Sequence, residues 1–174
     1  LEVAVAVGLD VEDRRAPAVL RRLDDLVIPV GALDEPDRQR ARTRVLAGPY
    51  GTRLLADLGA AVVKVERPGE GDETRIIAPQ LDPSRTDQSA YFTRVNAGKK
   101  GIGIDLAHPL ARDVVRDLVG QADVVVENFS PGTMDKLGLG YAALAARHPG
   151  IVMASGSVYG QTGPLATEWG VDGT

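Results

Sequence analysis

Apolar residues from Arg44 onward fall into short runs separated by turn residues, and these runs predict alternating strands and helices. Strands are predicted at residues 61–66, 101–106, 124–126 and 151–155. Helices are predicted to begin near Pro49, Pro109 and Tyr141. Strands that alternate with helices at short intervals are typical of a parallel sheet. We therefore predict an α/β fold, a Rossmann-like parallel sheet with helices on both faces.

The first two helices carry apolar residues at helical spacing, which predicts the face that each helix buries. In the first helix the predicted buried residues are Leu54, Leu55 and Leu58, and Gly59 is predicted to end the helix. In the second helix the predicted buried residues are Ala111, Val114, Val115, Leu118 and Val119. Each helix is expected to pack this face on the sheet.

The first 43 residues follow a different pattern. A short strand is predicted at Val3–Val7 and a helix at residues 16–26. The apolar run at residues 26–30 contains Pro29, which indicates an edge strand or a connector. Residues 31–43 are mostly polar and predict a linker or loop. We divide the chain into an atypical N-terminal segment or linker, residues 1–43, and a regular part, residues 44–174.

Composition disfavours several classes of function. The net charge of −4 argues against a nucleic-acid-binding surface, which needs clustered positive charge. The absence of cysteine removes disulfides, thiolate metal sites and cysteine nucleophiles. His108 and His148 each precede a proline at an element boundary, so we expect neither a catalytic triad nor a metal site. No apolar run approaches the roughly 20 residues of a membrane span, and we expect a cytoplasmic protein without membrane contact. The dinucleotide fingerprint G-x-G-x-x-G does not follow the first regular strand, which disfavours a nicotinamide dehydrogenase.

Five sequence segments carry a family resemblance. They read RVLAGPYGTRLLADLGA, VVKVERPGEGDETR, SAYFTRVNAGKKGIGIDL, ADVVVENFSPGTMDKLGLGY and GQTGP, and they are followed by GVD. In this order they resemble the family III CoA-transferases, the group of formyl-CoA and carnitine CoA-transferases and α-methylacyl-CoA racemases. The resemblance covers the chain from Arg44 to Asp172, and it implies that residues 44–174 are the N-terminal part of the family's large domain, which is incomplete here. It implies that coenzyme A or an acyl-CoA is a substrate, bound at the carboxyl ends of the strands, and that no metal takes part.

The same resemblance implies roles for individual residues. Asp172, in GVD, matches the catalytic aspartate of the family. The residues that match CoA contacts are Val45, Ala47, Arg67, Asn96, Lys99, Asn128 and Phe129. Without the resemblance, Asp172 is one loop acid among 24 acidic residues, and Arg67 and Lys99 are solvated loop charges. Arg67 and Lys99 suit phosphate groups, arginine by its forked donors and lysine as a point charge.

In the family, the aspartate attacks an acyl-CoA thioester and forms a covalent aspartyl intermediate, from which CoA passes to a carboxylic acid. Family racemases pair the aspartate with a histidine, but Val171 stands at that position here and cannot move a proton. The sequence therefore favours transfer over racemisation. A non-catalytic CoA-binding fragment or structural subunit is the alternative, and a racemase or a CoA-dependent hydrolase is a weaker one.

Two further departures bear on activity. Family members enter RVLAGP from an apolar strand, whereas DRQRART stands there in this chain and cannot form a buried strand. The first strand of the sheet is therefore lost or replaced, with Val3–Val7 as the candidate. The chain also ends at Thr174, so we expect activity to need a C-terminal half absent from it, and the chain alone to be inactive. The resemblance implies a homodimer or association with such a half.

Overall fold

The computed structural model describes residues 3–7 and 46–168. The strands are β1 (Val3–Val7), β2 (Ala61–Glu66), β3 (Lys100–Gly103), β4 (Val124–Glu127) and β5 (Val152–Ser155). The helices are α1 (Ala47–Asp57), α2 (Ala90–Asn96), α3 (Pro109–Val119), α4 (Thr133–Lys136) and α5 (Tyr141–Ala145), with a 3-10 turn at Glu73–Ile76. The features predicted for residues 16–43 lie outside the described residues.

The five strands form one mixed sheet in the order β3-β2-β1-β4-β5. Strand β2 is parallel to β3, and β4 is parallel to β5, as the alternation of strands and helices predicts. Strand β1 is antiparallel to both of its neighbours, β2 and β4. The predicted α/β sheet with helices is confirmed, except that its central strand runs against the other four.

The predicted strand at Val3–Val7 is confirmed, and it lies at the centre of the sheet between β2 and β4. Its alternating valines and alanines fit a strand whose two faces are both covered. Val5 lies opposite Val63 on β2 and Val125 on β4, and all three side chains are buried. Ala4 and Ala6 project to the other face, where they pack with Val62. The strand thus joins the two parallel pairs into one sheet.

Helix α3 covers the valine face of β1. Its residues Ala111, Val115, Leu118 and Val119 are buried with Val3, Val5, Val65 and Val125 in the main core cluster, and Val114 packs partly against it. The predicted apolar stripe of this helix is therefore confirmed. Residues of α4, α5 and the loops that precede them complete the cluster, including Phe129, Met134, Leu139 and Leu144.

Helix α1 covers the opposite, alanine face, and here the predicted buried stripe is wrong in two of three positions. Leu55 packs against the sheet, but Leu54 is 46% exposed and Leu58 is 75% exposed. The inward residues are instead Pro49 and Thr52, with Ala56 partly buried. The alanines of β1 form a flat surface on which small side chains pack closely, and Leu54 and Leu58 turn outward.

The end of α1 was predicted correctly at Gly59. This glycine has a φ of 100°, in the left-handed region that favours glycine. Its N–H donates to the carbonyl of Ala56, and the N–H of Ala60 donates to the carbonyl of Leu55. These two bonds form a Schellman motif, which satisfies carbonyls at the helix end.

Candidate functional site

Strands β2, β3, β4 and β5 all point the same way, so their carboxyl ends meet at one edge of the sheet. The N-terminal end of α1 lies at this edge. A Cβ atom placed on Gly48 would lie 3.2 Å from the Cγ atom of Asn128, which follows β4. The glycine therefore permits α1 to approach the loop after β4 closely, and the VLAGP and ENF segments become neighbours.

The loop after β2 folds back onto the end of that strand, where the carboxylate of Glu66 holds it closed. Glu66 accepts two hydrogen bonds from the guanidinium of Arg75, both at 2.9 Å, and a third from the backbone N–H of Asp72 at 3.0 Å. The Arg75 guanidinium also lies over the Phe92 ring, 3.8 Å from its centre. The hydrogen bond of Glu66 to Arg75 raises the pKa of Arg75 above its usual value.

Arg67 stands at the start of this closed loop. Its side chain is 39% exposed, and its guanidinium nitrogen Nη1 lies 3.8 Å from the Glu70 carboxylate. An exposed ion pair at this distance contributes little to stability, so it leaves the guanidinium able to bind an anion.

A second ion pair lies beneath the same loop. Lys64, on β2, is 2% exposed and donates to the Oδ2 atom of Asp72. The Oδ1 atom of Asp72 accepts from both the N–H and the hydroxyl of Thr74, each at 2.8 Å. Burial raises the pKa of Asp72, but the charge and hydrogen bond of Lys64, together with Thr74, outweigh burial and lower this pKa below its usual value. The carboxylate therefore stays ionised and holds the turn.

Lys64 also reaches the turn before β3. Its ammonium lies 3.2 Å from the Oδ1 atom of Asn96, and the same oxygen accepts from Lys99 Nζ at 2.8 Å. Lys99 Nζ donates in addition to the carbonyl of Pro49, in the first turn of α1, at 2.8 Å. Although Lys99 precedes β3 in the chain, its side chain thus extends to the N-terminal end of α1.

The loop after β4 is anchored by the last residue of that strand. Glu127 is buried, and its Oε2 atom accepts from the backbone N–H of Phe129 at 2.8 Å. The Phe129 side chain is 2% exposed and belongs to the main core cluster. Its ring holds the loop on the core, and the residue as a whole exposes almost no surface at the edge of the sheet.

Comparison with known proteins identifies the family of the chain. A family model described as CoA-transferase family III matches residues 41–174. The chain belongs to CoA-transferase family III. The resemblance drawn from the five sequence segments is therefore confirmed.

Relatives in this family are similar over most of the chain. Acetyl-CoA:oxalate CoA-transferase of Acetobacter aceti is 48% identical over 124 residues, which are 71% of this chain and 31% of that protein. Succinyl-CoA:glutarate CoA-transferase of Homo sapiens is 44% identical over 130 residues, which are 75% of this chain and 29% of that protein. A crystal structure of a CAIB/BAIF family protein from Brucella suis matches with a TM-score of 0.67 and 44% identity, covering 74% of this chain and 34% of that one. The chain thus spans about a third of the length of the family members it matches.

The structure brings several of the predicted CoA contacts to the N-terminal end of α1. Lys99 and Asn96 form one group with the first turn of α1, and Asn128 lies against Gly48 at the same end of that helix. Ala47 is exposed at the first position of α1. Arg67 begins the closed loop after β2. Val45 and Asp172 lie outside the described residues, so their predicted roles stay predictions.

Four charged residues in this site were missed by the sequence reasoning: Lys64, Glu66, Asp72 and Arg75. A lysine inside a strand that is buried on both faces was the available signal, because a buried ammonium needs a partner. Across residues 3–7 and 46–168, no helix is long and apolar enough to cross a bilayer. The same part of the chain contains no cluster of histidine and acidic side chains suited to a metal ion.

Proposed function

We propose that this chain forms the CoA-binding, nucleophile-bearing part of an enzyme that transfers CoA from an acyl-CoA thioester to a carboxylic acid. The names of the bacterial and human relatives each pair an acyl-CoA with a carboxylic acid, which supports this reaction class. Those proteins are about three times as long as the matching region. We therefore propose that activity requires a C-terminal part, supplied by the same polypeptide or by a partner chain, with a homodimer as the expected assembly.

The observation that carries the proposal is the exposed cation Arg67 on a loop that two ion pairs hold closed, within a match to a CoA-transferase family. The phosphates of CoA are anionic, and a guanidinium with forked donors suits them. The ammonium of Lys99, at the N-terminal end of α1, adds positive charge where the helix dipole also favours an anion. In this proposal the loop at Asn128 and Phe129 lies beside the rest of the ligand.

Asp172 is the proposed nucleophile. Its carboxylate attacks the thioester carbon of the acyl-CoA, the C–S bond breaks, and CoA leaves as a thiolate, which gives a mixed anhydride. The thiolate then attacks the aspartyl carbonyl and releases the donor as a carboxylate. The acceptor carboxylate attacks the resulting aspartyl-CoA thioester, and the thiolate finally attacks the acceptor carbonyl and restores Asp172. Proximity and desolvation make a carboxylate an adequate nucleophile for these steps.

The test of the mechanism is to trap the aspartyl thioester. With the C-terminal part present, incubation with acyl-CoA and then hydroxylamine should convert Asp172 into a hydroxamate that is detectable by peptide mass spectrometry. Asp172→Ala should abolish both the modification and CoA transfer, whereas Asp117→Ala, at an exposed position on α3, should preserve them. Transfer that survives in Asp172→Ala would contradict the assignment. CoA binding without any trapped intermediate would favour a non-catalytic CoA-binding protein, and exchange of the α-proton with solvent would favour a racemase.

The test of the binding site is Arg67→Ala. Loss of a charge-assisted hydrogen bond to a phosphate costs about 1.5 to 3 kcal/mol, so we expect the Kd for CoA to rise roughly tenfold to a hundredfold. Calorimetric titration with CoA measures this change. The matched control is Arg147→Ala, an exposed arginine close before the amino end of β5, which should leave the Kd unchanged. Equal affinities of the two variants for CoA would show that Arg67 does not bind CoA.

A further inference from the structure

The side chain of Lys64 is a buried cation inside a strand. Lysine is almost never fully buried unless it is paired, because an ammonium loses its hydration when it leaves water. Here only 3% of the Lys64 side chain is exposed. Its position on β2 is opposite Ala4 of β1, on the face that α1 covers. An apolar residue would fit this alanine-lined surface, so packing alone does not explain why a charged residue stands here.

The ammonium of Lys64 joins two segments that are far apart in the sequence. On one side it binds Asp72, whose other carboxylate oxygen holds the start of the 3-10 turn. On the other side it binds the amide oxygen of Asn96, at the end of α2. Asp72 closes the loop that begins with Arg67, and Asn96 shares its oxygen with Lys99. The two cations proposed to meet CoA are therefore linked through one buried group.

Asn96 differs from Arg67 in how it can serve a ligand. It is 8% exposed, its oxygen accepts from both lysines, and its amide nitrogen donates to the carbonyl of Phe92 at 3.1 Å. These bonds engage the amide oxygen twice and one of the two amide N–H groups within the protein. Its side chain is thus suited to orient the Lys99 ammonium rather than to bind CoA directly.

We propose that Lys64 is a positioning residue for the CoA site, which fixes the Arg67 loop through Asp72 and the Lys99 ammonium through Asn96. This inference rests on the proposed function, because it assigns the ligand of the same site. Preorganised cations bind an anion more tightly than mobile ones, since less conformational freedom is lost on binding. Lys64 therefore contributes to CoA affinity without touching CoA.

If the Lys64–Asp72 ion pair is only structural, the expected result is different. Two variants, Lys64→Met and Lys64→Met/Asp72→Asn, distinguish a structural role from a positioning role. Lys64→Met alone leaves the Asp72 carboxylate buried without its cation, and such a change is strongly destabilising. The double variant removes both charges at nearly constant volume, so its Tm should return close to that of the unsubstituted chain. If Lys64 positions the site, CoA affinity should not return with the Tm.

Calorimetric titration with CoA at matched temperature gives the readout. We expect the double variant to bind CoA roughly fivefold or more weakly than the unsubstituted chain. We also expect Arg67→Ala to weaken binding less in the double variant than in the unsubstituted chain, because the loop is already released. Lys100→Met, at an exposed lysine that begins β3, is the matched control and should bind normally.

Three results would overturn the inference. Full recovery of CoA affinity in the double variant would make Lys64 a structural residue only. An undiminished effect of Arg67→Ala in the double variant would show that the loop does not depend on Lys64. Failure of the unsubstituted chain to bind CoA would contradict both this inference and the proposed function. If that chain binds CoA and either of the first two results is obtained, only this inference is contradicted and the proposed function stands.

Discussion

Replacing Phe129 with alanine is expected to lower the free energy of unfolding by about 3 to 5 kcal/mol, because the ring is 2% exposed within the main core cluster. A single domain is stable by only about 5 to 15 kcal/mol, so this loss is a large share of the total. Chemical denaturation followed by circular dichroism measures it. The change in the denaturation midpoint should be accompanied by an unchanged slope if the unfolded state is unaffected.

Two controls show whether the effect comes from the core. Phe129→Leu keeps most of the apolar volume and should cost about 1 to 2 kcal/mol. Tyr141→Ala removes an aromatic ring that is 55% exposed and should change stability by no more than about 0.5 kcal/mol. Phe129→Leu should also bind CoA normally, because the ring lies in the core cluster and leucine keeps most of its packing there. Normal stability together with weak CoA binding in this variant would indicate that the ring itself contacts CoA.

Replacing Val5 with aspartate is expected to abolish cooperative unfolding. Val5 is 1% exposed in the central strand, and a buried carboxylate without a partner costs several kcal/mol. The strand joins both halves of the sheet, so its loss unpairs β2 and β4 together. Thermal denaturation followed by circular dichroism should change from a sigmoidal transition to a gradual one.

The matched control for Val5 is Val152→Asp. Val152 lies on the edge strand β5 and is 57% exposed, so the same substitution should change stability by about 0.5 kcal/mol or less. Cooperative unfolding that survives in Val5→Asp would mean that Val3–Val7 is not part of the stable sheet. The regular part of the chain would then have to close its sheet without that strand.

The sequence predicted the regular strands and α3 well because their patterns have one interpretation. Strand β2 was predicted with its observed bounds, Ala61–Glu66, and α3 with the residues that it buries. In both cases the apolar period matches the surface that covers the element. Helix α1 was predicted less well, because the leucines that define an apolar stripe compete with smaller residues that pack more closely on alanines. Which face of the helix packs on the sheet depends on the shape of the sheet, and the helix sequence does not specify that shape.

Two other features depend on contacts distant in sequence. The direction of β1 cannot be inferred from alternating valine and alanine, since parallel and antiparallel neighbours are both compatible with that pattern. The polar network is the other: Lys64 meets Asp72 and Asn96 only after the strand and both turns have formed. Helix α2 was missed although its signal is local, since Ser89 caps it by accepting from the N–H of Phe92 at 2.8 Å.

The position of β1 has a consequence for the order in which the protein folds. Synthesis proceeds from the N-terminus, so Val3 is made before Val65 and long before Glu127, the two residues that it lies opposite. One edge of the central strand can pair with β2 once residue 66 has been made, but its other edge stays unpaired until β4 emerges in the second half of the chain. Topologies dominated by such distant pairings fold slowly, and their unpaired edges are exposed to aggregation. This protein is accordingly expected to depend on chaperones more than a sheet that is assembled from sequential neighbours.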